Sequence, residues 1–412
     1  MASTEEERFK PPKFKRKRQM SSVHDSSSSS DTATNYRARP KKSHLHADRH
    51  VISKWTTKTL VEYGITYDNN PISIEEFSAK IQSRAREVCD KKMPDFLSIL
   101  KMLCKRGLIF SLEVPEKETL KSLDIISDSM TKARKILNDF DAFINDILIK
   151  EEEYLGKEWR NKALFFAWSH NVRSFLNYYK KFLDKMNSSM TESWLAKPDR
   201  EACLKELFMV FSKIFFLEPE LGDKEVKRLI IGSHVVSCIP DIRFTWLNTI
   251  QRSVLMMLTE AKKDEPFPEN RQFESRKTKT SGGNLSDSDQ TFGNYIHRIL
   301  SINVLGQHGG ELLSELRSSA FAPTMVVGCI CKGTEIIFTY MEMTQNHLNK
   351  IVYDGKCEGE SSLIRYTKPL NYLMEEDRNK CLDLLFLLGF MQTSGYEDLY
   401  PNPEGRLKRS NA

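Results

Sequence analysis

The chain has 412 residues, 40% of them apolar and including 23 Phe and 13 Tyr, ample for a sizeable core and, at about 100–200 residues each, for two or three domains. No run approaches the ~18 uninterrupted apolar residues of a membrane span, and the opening MASTEEERFK carries acids where a signal peptide would be basic and then apolar, so we expect a soluble intracellular protein. The net charge of +6 resides in the first 50 residues, which hold 12 of the 62 Lys and Arg but only 6 of the 56 Asp and Glu, so bulk charge does not argue for nucleic-acid binding by the remainder.

Residues 1–50 contain the basic clusters Lys13–Arg18 and Arg37–Lys42 on either side of the serine run Ser26–Ser30. Too few apolar groups are present to offset chain entropy, so this tail is expected to be disordered. Two basic clusters around a polar spacer fit a nuclear import signal read by an import receptor; a solvated basic arm is the plain alternative. His44, His46 and His50 lie in the same tail and are read as incidental.

From 72 to 198 the periodicity is helical. Ser73-x-x-Glu76 is a capping box opening IEEFSAKIQSRAREVC. Apolar residues recurring at three and four predict further helices over Asp95–Arg106, Glu116–Ile149 and Glu158–Met186, and another over Asp199–Phe216. The aromatic stripe in FFAWSHNVRSFLNYYKKFL (165–183) reads as core, with a groove for a protein partner as the alternative.

Near 226 the pattern changes. The apolar runs Leu229–Phe244 and Val254–Lys262 read as two strands joined by the polar segment Asn248–Arg252. Residues 264–289 are polar and turn-rich and read as a disordered insertion. A helical stretch follows over Thr291–Ser318, predicted to break near Gly306 and Gly309-Gly310. TMVVGCIC and TEIIFTYMEM then form a hairpin turning at Lys332-Gly333, and a helix over Glu375–Met391 precedes a polar tail at 392–412. Strands and helices in this order predict an α/β or α+β core with a mixed sheet.

Chemistry can be read at one place in this pattern. Pairing of the two strands would bring Asp241, after Pro240, close to Glu260, and alternation puts Glu260 and Lys262 on one face. Carboxylate oxygens are the natural ligands of a hard divalent cation, and an adjacent amine can steady a nucleophilic water or the developing negative charge. Letters alone do not single the trio out, since Asp199 with Glu225-x-Lys227 repeats the order. Context separates them: Asp199 begins a helix, and Glu225-x-Lys227 lies in a polar approach.

Pro240-Asp241 followed by Glu260-Ala261-Lys262, with a helix and a second hairpin after them, resembles the PD-(D/E)XK nuclease superfamily over roughly residues 200–345. The resemblance implies a restriction-endonuclease-like core, a central mixed β-sheet flanked by helices, at 199–391. It implies Mg²⁺ or Mn²⁺ on Asp241 and Glu260, Lys262 as the catalytic amine, and Gln307 as the helix glutamine that assists the site. In that family a helix before the first strand often adds an acid; Glu206 is a match, with Glu201 and Glu218 competing. The activity implied is metal-dependent phosphodiester hydrolysis, of DNA rather than RNA, in the nucleus. Two alternatives stand beside it. Glu260 and Lys262 form an exposed strand-end pair with no function, or the fold persists without catalysis as a nuclear nucleic-acid-binding or protein-interaction adaptor. Cys329-x-Cys331 could be half a zinc site, but with no second pair two core thiols are the simpler reading. His308 is read as an ordinary helix histidine.

Overall fold

Along Met325–Lys332 successive side chains enter two different apolar clusters, which shows where the centre of the sheet lies. Met325, Val327, Cys329 and Cys331 join one apolar cluster, while Val326 and Ile330 join another. Every residue of this strand is buried, as expected of a strand covered on both faces. The computed structural model describes residues 51–88, 96–114, 123–188, 198–222, 226–247, 253–262, 294–321, 323–357 and 359–393. The basic tail, the turn at 248–252, the insertion at 264–289 and the C-terminal tail beyond 393 lie outside the described residues.

The elements run α1 (Thr57–Glu62), β1 (Ile65–Tyr67), α2 (Ile74–Val88), α3 (Phe96–Gly107), α4 (Leu123–Ile149), α5 (Glu151–Leu155), α6 (Trp159–Ser188), α7 (Pro198–Lys213) and β2 (Pro219–Leu221). There follow β3 (Lys227–Ile231), β4 (His234–Cys238), β5 (Ile242–Leu247), β6 (Ser253–Lys262), α8 (Tyr295–Ile299), α9 (Ile302–Glu315), β7 (Met325–Lys332) and β8 (Glu335–Glu342). The last are α10 (Gln345–Asn349), β9 (Ser362–Tyr366), β10 (Leu370–Asn371) and α11 (Glu375–Gln392). The fold is mixed α+β. Its eight-stranded sheet has the order β1-β9-β8-β7-β6-β5-β2, with β10 added on β8. The β1/β9 and β6/β7 pairs are parallel and the others antiparallel. A parallel neighbour needs a long crossover, and α8 and α9 lie within the one between β6 and β7.

One sheet face is covered by α7, α11 and the helices of 74–188, which share a single apolar cluster with the sheet. Phe77 packs on Phe338 and Tyr340, and Phe208 on Phe244 and Tyr372. The stripe of α6 is core as expected: Phe165, Trp168, Phe175, Tyr179 and Phe182 are all buried. Ser73 caps α2, its Oγ accepting from the Glu76 N–H at 3.0 Å. Cys329 and Cys331 are buried free thiols in this cluster, as core cysteines should be. Arg378 of α11 fastens the α3 end to the C-terminal segment. Its guanidinium donates to the carbonyls of Leu108 and Tyr372 at 2.9 and 3.2 Å, and to those of Phe110 and Leu373.

The other face carries α1, α9 and a separate two-stranded hairpin, β3-β4. Two expectations are corrected here. The run Leu229–Phe244 is not one strand: Gly232, at φ +55°, turns the chain so that β3 and β4 pair with each other, and β5 begins only after Pro240. Asp241 therefore stands immediately before a strand rather than at the end of one. Nor do the glycines break the helix over Thr291–Ser318. The break falls at Leu300-Ser301, where Ser301 caps a new helix by accepting from Val304 N–H, and α9 runs straight through Gly306, Gly309 and Gly310. Those glycines serve packing: a Cβ on Gly306 would stand 2.3 Å from the Thr56 backbone, and one on Gly310 would stand 2.8 Å from Trp55. Close approach of α9 to the 52–60 segment needs residues without side chains.

Candidate active site

Strands β5 and β6 pair antiparallel with Ile242 opposite Thr259 and Arg243 opposite Leu258. Extending that register one residue sets Asp241 across from Glu260. The carboxylate of Asp241 confirms the proximity: its Oδ2 accepts the Ala261 N–H at 3.0 Å. The two strands thus bring Asp241, Glu260 and Lys262 together at their shared end. Lys262 Nζ forms an ion pair with Glu260 Oε1.

The site has a mouth and a floor. Asp241 and Lys262 keep 25% and 28% of their side-chain surface, while Glu260 keeps 0%. Behind Glu260 lies α9, one turn of which presents Gln307 and then Glu311. Gln307 Nε2 donates to Glu311 Oε1 at 3.0 Å. Glu311 is itself buried and stands against Glu260.

From the opposite side α7 contributes Lys205, whose Nζ is 3.2 Å from Asp241 Oδ1. Glu201, four residues earlier on the same helix, adds a negative charge felt by Lys262. Glu206, a candidate for the helix acid, bonds Tyr178 instead, and Glu218 pairs with Lys213 at 3.7 Å. Of the three, Glu201 is the one that acts on the trio.

Electrostatics follow from this crowding. Burial, and then the neighbouring Asp241 charge, push the Glu260 carboxyl up to about 7. Burial and the Glu260 charge also hold the Glu311 carboxyl well above the usual carboxylate range. Burial opposes the charge on Lys262, but Glu260, Asp241 and Glu201 outweigh it and leave the ammonium harder to deprotonate than a free lysine. Beneath them Arg243 and Glu315 form a buried pair at 2.9 Å. His308 stands on the sheet side of α9, hydrogen-bonded to Thr339 Oγ1 at 2.7 Å, and burial lowers its pKa to about 3. It is a neutral packing histidine.

Glu260, though paired with Lys262, shares the buried floor with Glu311, and the two crowded carboxyls are both held toward their protonated forms. Ionising both at a floor cut off from water is costly, on the order of several kcal/mol. A hard divalent cation would relieve that cost, and the all-oxygen donor set suits Mg²⁺ or Mn²⁺. Among the described residues no three His, Cys, Asp or Glu side chains already form a metal-holding group. Asp241 and Glu260 offer two carboxylates, and Mg²⁺ commonly binds through one or two and keeps its remaining waters.

Lys205 and Glu311 were not picked out from the sequence, and Glu201 was named there only as a competitor of Glu206. The i, i+4 spacings Glu201/Lys205 and Gln307/Glu311 place each pair on one helix face and were visible signals. Among the described residues no helix is long and apolar enough to cross a membrane. Comparison with protein-family models, with curated proteins and with solved structures gives no match.

Proposed function

We propose that the protein is a metal-dependent phosphodiesterase of the PD-(D/E)XK type, a hydrolase that cleaves DNA in the nucleus. The observation that carries this reading is the meeting of Asp241, Glu260 and Lys262 at one strand end, with Gln307 on the helix behind them. Their order and spacing resemble that superfamily, and the sheet of mixed strands between helical layers is compatible with a restriction-endonuclease-like core.

In this reading Asp241 and Glu260 hold Mg²⁺ or Mn²⁺. The cation would lower the pKa of a bound water and polarise the scissile phosphate. Glu260, sunk at the floor, serves best as a fixed ligand, because burial leaves it no freedom to swing outward. Asp241, at the mouth, faces the substrate side. The Lys262 ammonium, kept charged by Glu260, Asp241 and Glu201, donates hydrogen bonds to the attacking water or to phosphate oxygens as negative charge grows there. Gln307 commits its amide N–H to Glu311, which leaves its amide oxygen as an acceptor toward a water in the site.

The test uses purified protein with labelled DNA and Mg²⁺ or Mn²⁺. Cutting is expected, with loss in Asp241→Asn and Lys262→Ala while the fold persists. Unchanged cutting by both variants would remove these residues from the mechanism. Import would depend on the clusters at 13–18 and 37–42 and is tested by deleting either one and following a fluorescent fusion in cells.

The full burial of Glu260 favours a second reading, a nuclease-like fold kept as a nuclear nucleic-acid-binding or protein-interaction adaptor. Mn²⁺ separates the two. An adaptor shows no cation-dependent rise in melting temperature that Glu260→Gln removes.

A further inference from the structure

We infer that Lys205 is an exchangeable counter-ion of the site: a divalent cation taking Asp241 displaces its ammonium, which then contacts the phosphate of the substrate. This rests on the phosphodiesterase reading and adds to it a substrate-contacting residue from a helix outside the strand motif.

The argument begins with the two oxygens of Asp241. Oδ2 is occupied by the Ala261 N–H, an interaction internal to the strand pair. Oδ1 meets Lys205 Nζ at 3.2 Å. A cation that uses Oδ1 arrives beside an ammonium already seated on that oxygen, and the two like charges repel at this short range. Lys205 can yield: its side chain keeps 25% of its surface exposed, and it hangs from α7 by four methylenes.

Charge balance gives the direction of the exchange. Asp241, Glu260 and Glu201 set three carboxylates against the two ammoniums of Lys205 and Lys262, leaving one negative charge over. Adding a divalent cation turns this into one positive charge in excess and draws Asp241 and Glu260 away from both ammoniums. A phosphodiester anion arriving at the mouth offsets that excess. Lys205, on the exposed side of Asp241, is placed to take one of its non-bridging oxygens. Cation and substrate are then bound cooperatively, through one lysine that changes partner.

The competing account is a plain ion pair that ties α7 to the sheet. The two differ in sign. A structural tie predicts that removing Lys205 disturbs Asp241 and weakens cation binding. An exchangeable counter-ion predicts tighter cation binding, because a like charge is gone, together with weaker use of substrate.

The experiment takes the full-length protein and its Lys205→Ala, Lys205→Gln and Lys205→Arg variants, with thermal melting to establish that each is folded. The glutamine variant stands in should alanine unfold the chain. Mn²⁺ affinity is measured by electron paramagnetic resonance of the free ion, without nucleic acid, and KM is measured for Mn²⁺-dependent cleavage of a labelled DNA oligonucleotide. Expected for Lys205→Ala is a Mn²⁺ affinity about two- to tenfold tighter, the scale of a partly exposed ion pair, with KM raised about tenfold. Lys205→Arg should restore KM toward the wild-type value. Unchanged or weaker Mn²⁺ binding overturns the exchange, and an unchanged KM overturns the phosphate contact. Wild-type protein that binds Mn²⁺ and cleaves DNA while the variants match it removes only this inference. Wild-type protein that does neither removes the phosphodiesterase reading as well.

Discussion

Asp241 accepts a hydrogen bond from the backbone N–H of Ala261, the residue between Glu260 and Lys262. One side chain thereby fixes both halves of the motif to each other, independently of any cation. Because Oδ2 makes this bond, an amide at position 241 can keep it through its own carbonyl. Asp241→Asn should therefore fold with a stability within about 1 kcal/mol of wild type, the worth of an ordinary hydrogen bond. Cleavage should fall at least about 100-fold, since a carboxylate ligand is lost. Chemical denaturation and a cleavage time course check the two halves. A large stability loss would mean that the Lys205 ion pair, not the Ala261 bond, holds this residue.

The glycines of α9 offer a case in which two effects oppose each other. Alanine is the better helix former by about 1 kcal/mol, so a helix read in isolation predicts that Gly306→Ala stabilises. A Cβ there would lie 2.3 Å from Thr56 backbone atoms, which cannot swing away as a side-chain end can. Overpacking costs about 1–3 kcal/mol or more, so net destabilisation is expected. The midpoint of urea unfolding should drop, and Gln307, one residue along, should lose its setting against Glu311.

These glycines also show what could and could not be read from the chain. The β-branched content of Met325–Lys332 and Glu335–Glu342, with Lys332-Gly333 between them, made the β7-β8 hairpin legible, and Gly333 does turn at φ +61°. The register that joins Asp241 to Glu260 was legible from two apolar runs. The helix through Gly306–Gly310 was not, because a glycine that breaks a helix and one that admits a neighbouring backbone look alike until the neighbour is known. Gly232 misled in the opposite sense: set within an unbroken apolar run, it concealed a turn that separates β3 from β4. Lys205 and Glu311 act on the site across tertiary contacts, which one-dimensional periodicity does not report.

Glu260 makes the stability of the fold depend on pH. Its carboxyl is raised to about 7 in the fold by burial and by Asp241, against an ordinary value near 4.5. A raised carboxyl contributes stability that is fully present below the unfolded pKa and is lost as pH rises through the folded one. Between pH 5 and pH 8 wild type should therefore lose stability relative to Glu260→Gln, on the order of 2 kcal/mol. Adding Mn²⁺ at pH 8 should reverse the comparison, stabilising wild type and leaving the variant unmoved. Denaturation at both pH values, with and without Mn²⁺, gives all four numbers. Parallel pH profiles for the two proteins would show that Glu260 is no buried charge.

His308 shifts stability the other way in an overlapping window. Burial lowers its pKa to about 3, and its Nε2 is engaged with Thr339 Oγ1 at 2.7 Å. The unfolded chain takes up a proton near 6.5 while the folded chain refuses it, so stability falls as pH drops from 6.5 toward 3, by about 1.4 kcal/mol per unit. The loss at Glu260 is simultaneously being recovered between pH 7 and 4.5, so the wild-type profile alone mixes two opposite slopes. The difference between wild type and His308→Gln isolates one of them, because Glu260 is common to both. From pH 7 to pH 5 the wild type should lose about 2 kcal/mol relative to the variant. An equal response of the two proteins would show that His308 takes up its proton inside the fold, and that the space between α9 and the sheet is wetter than its packing implies.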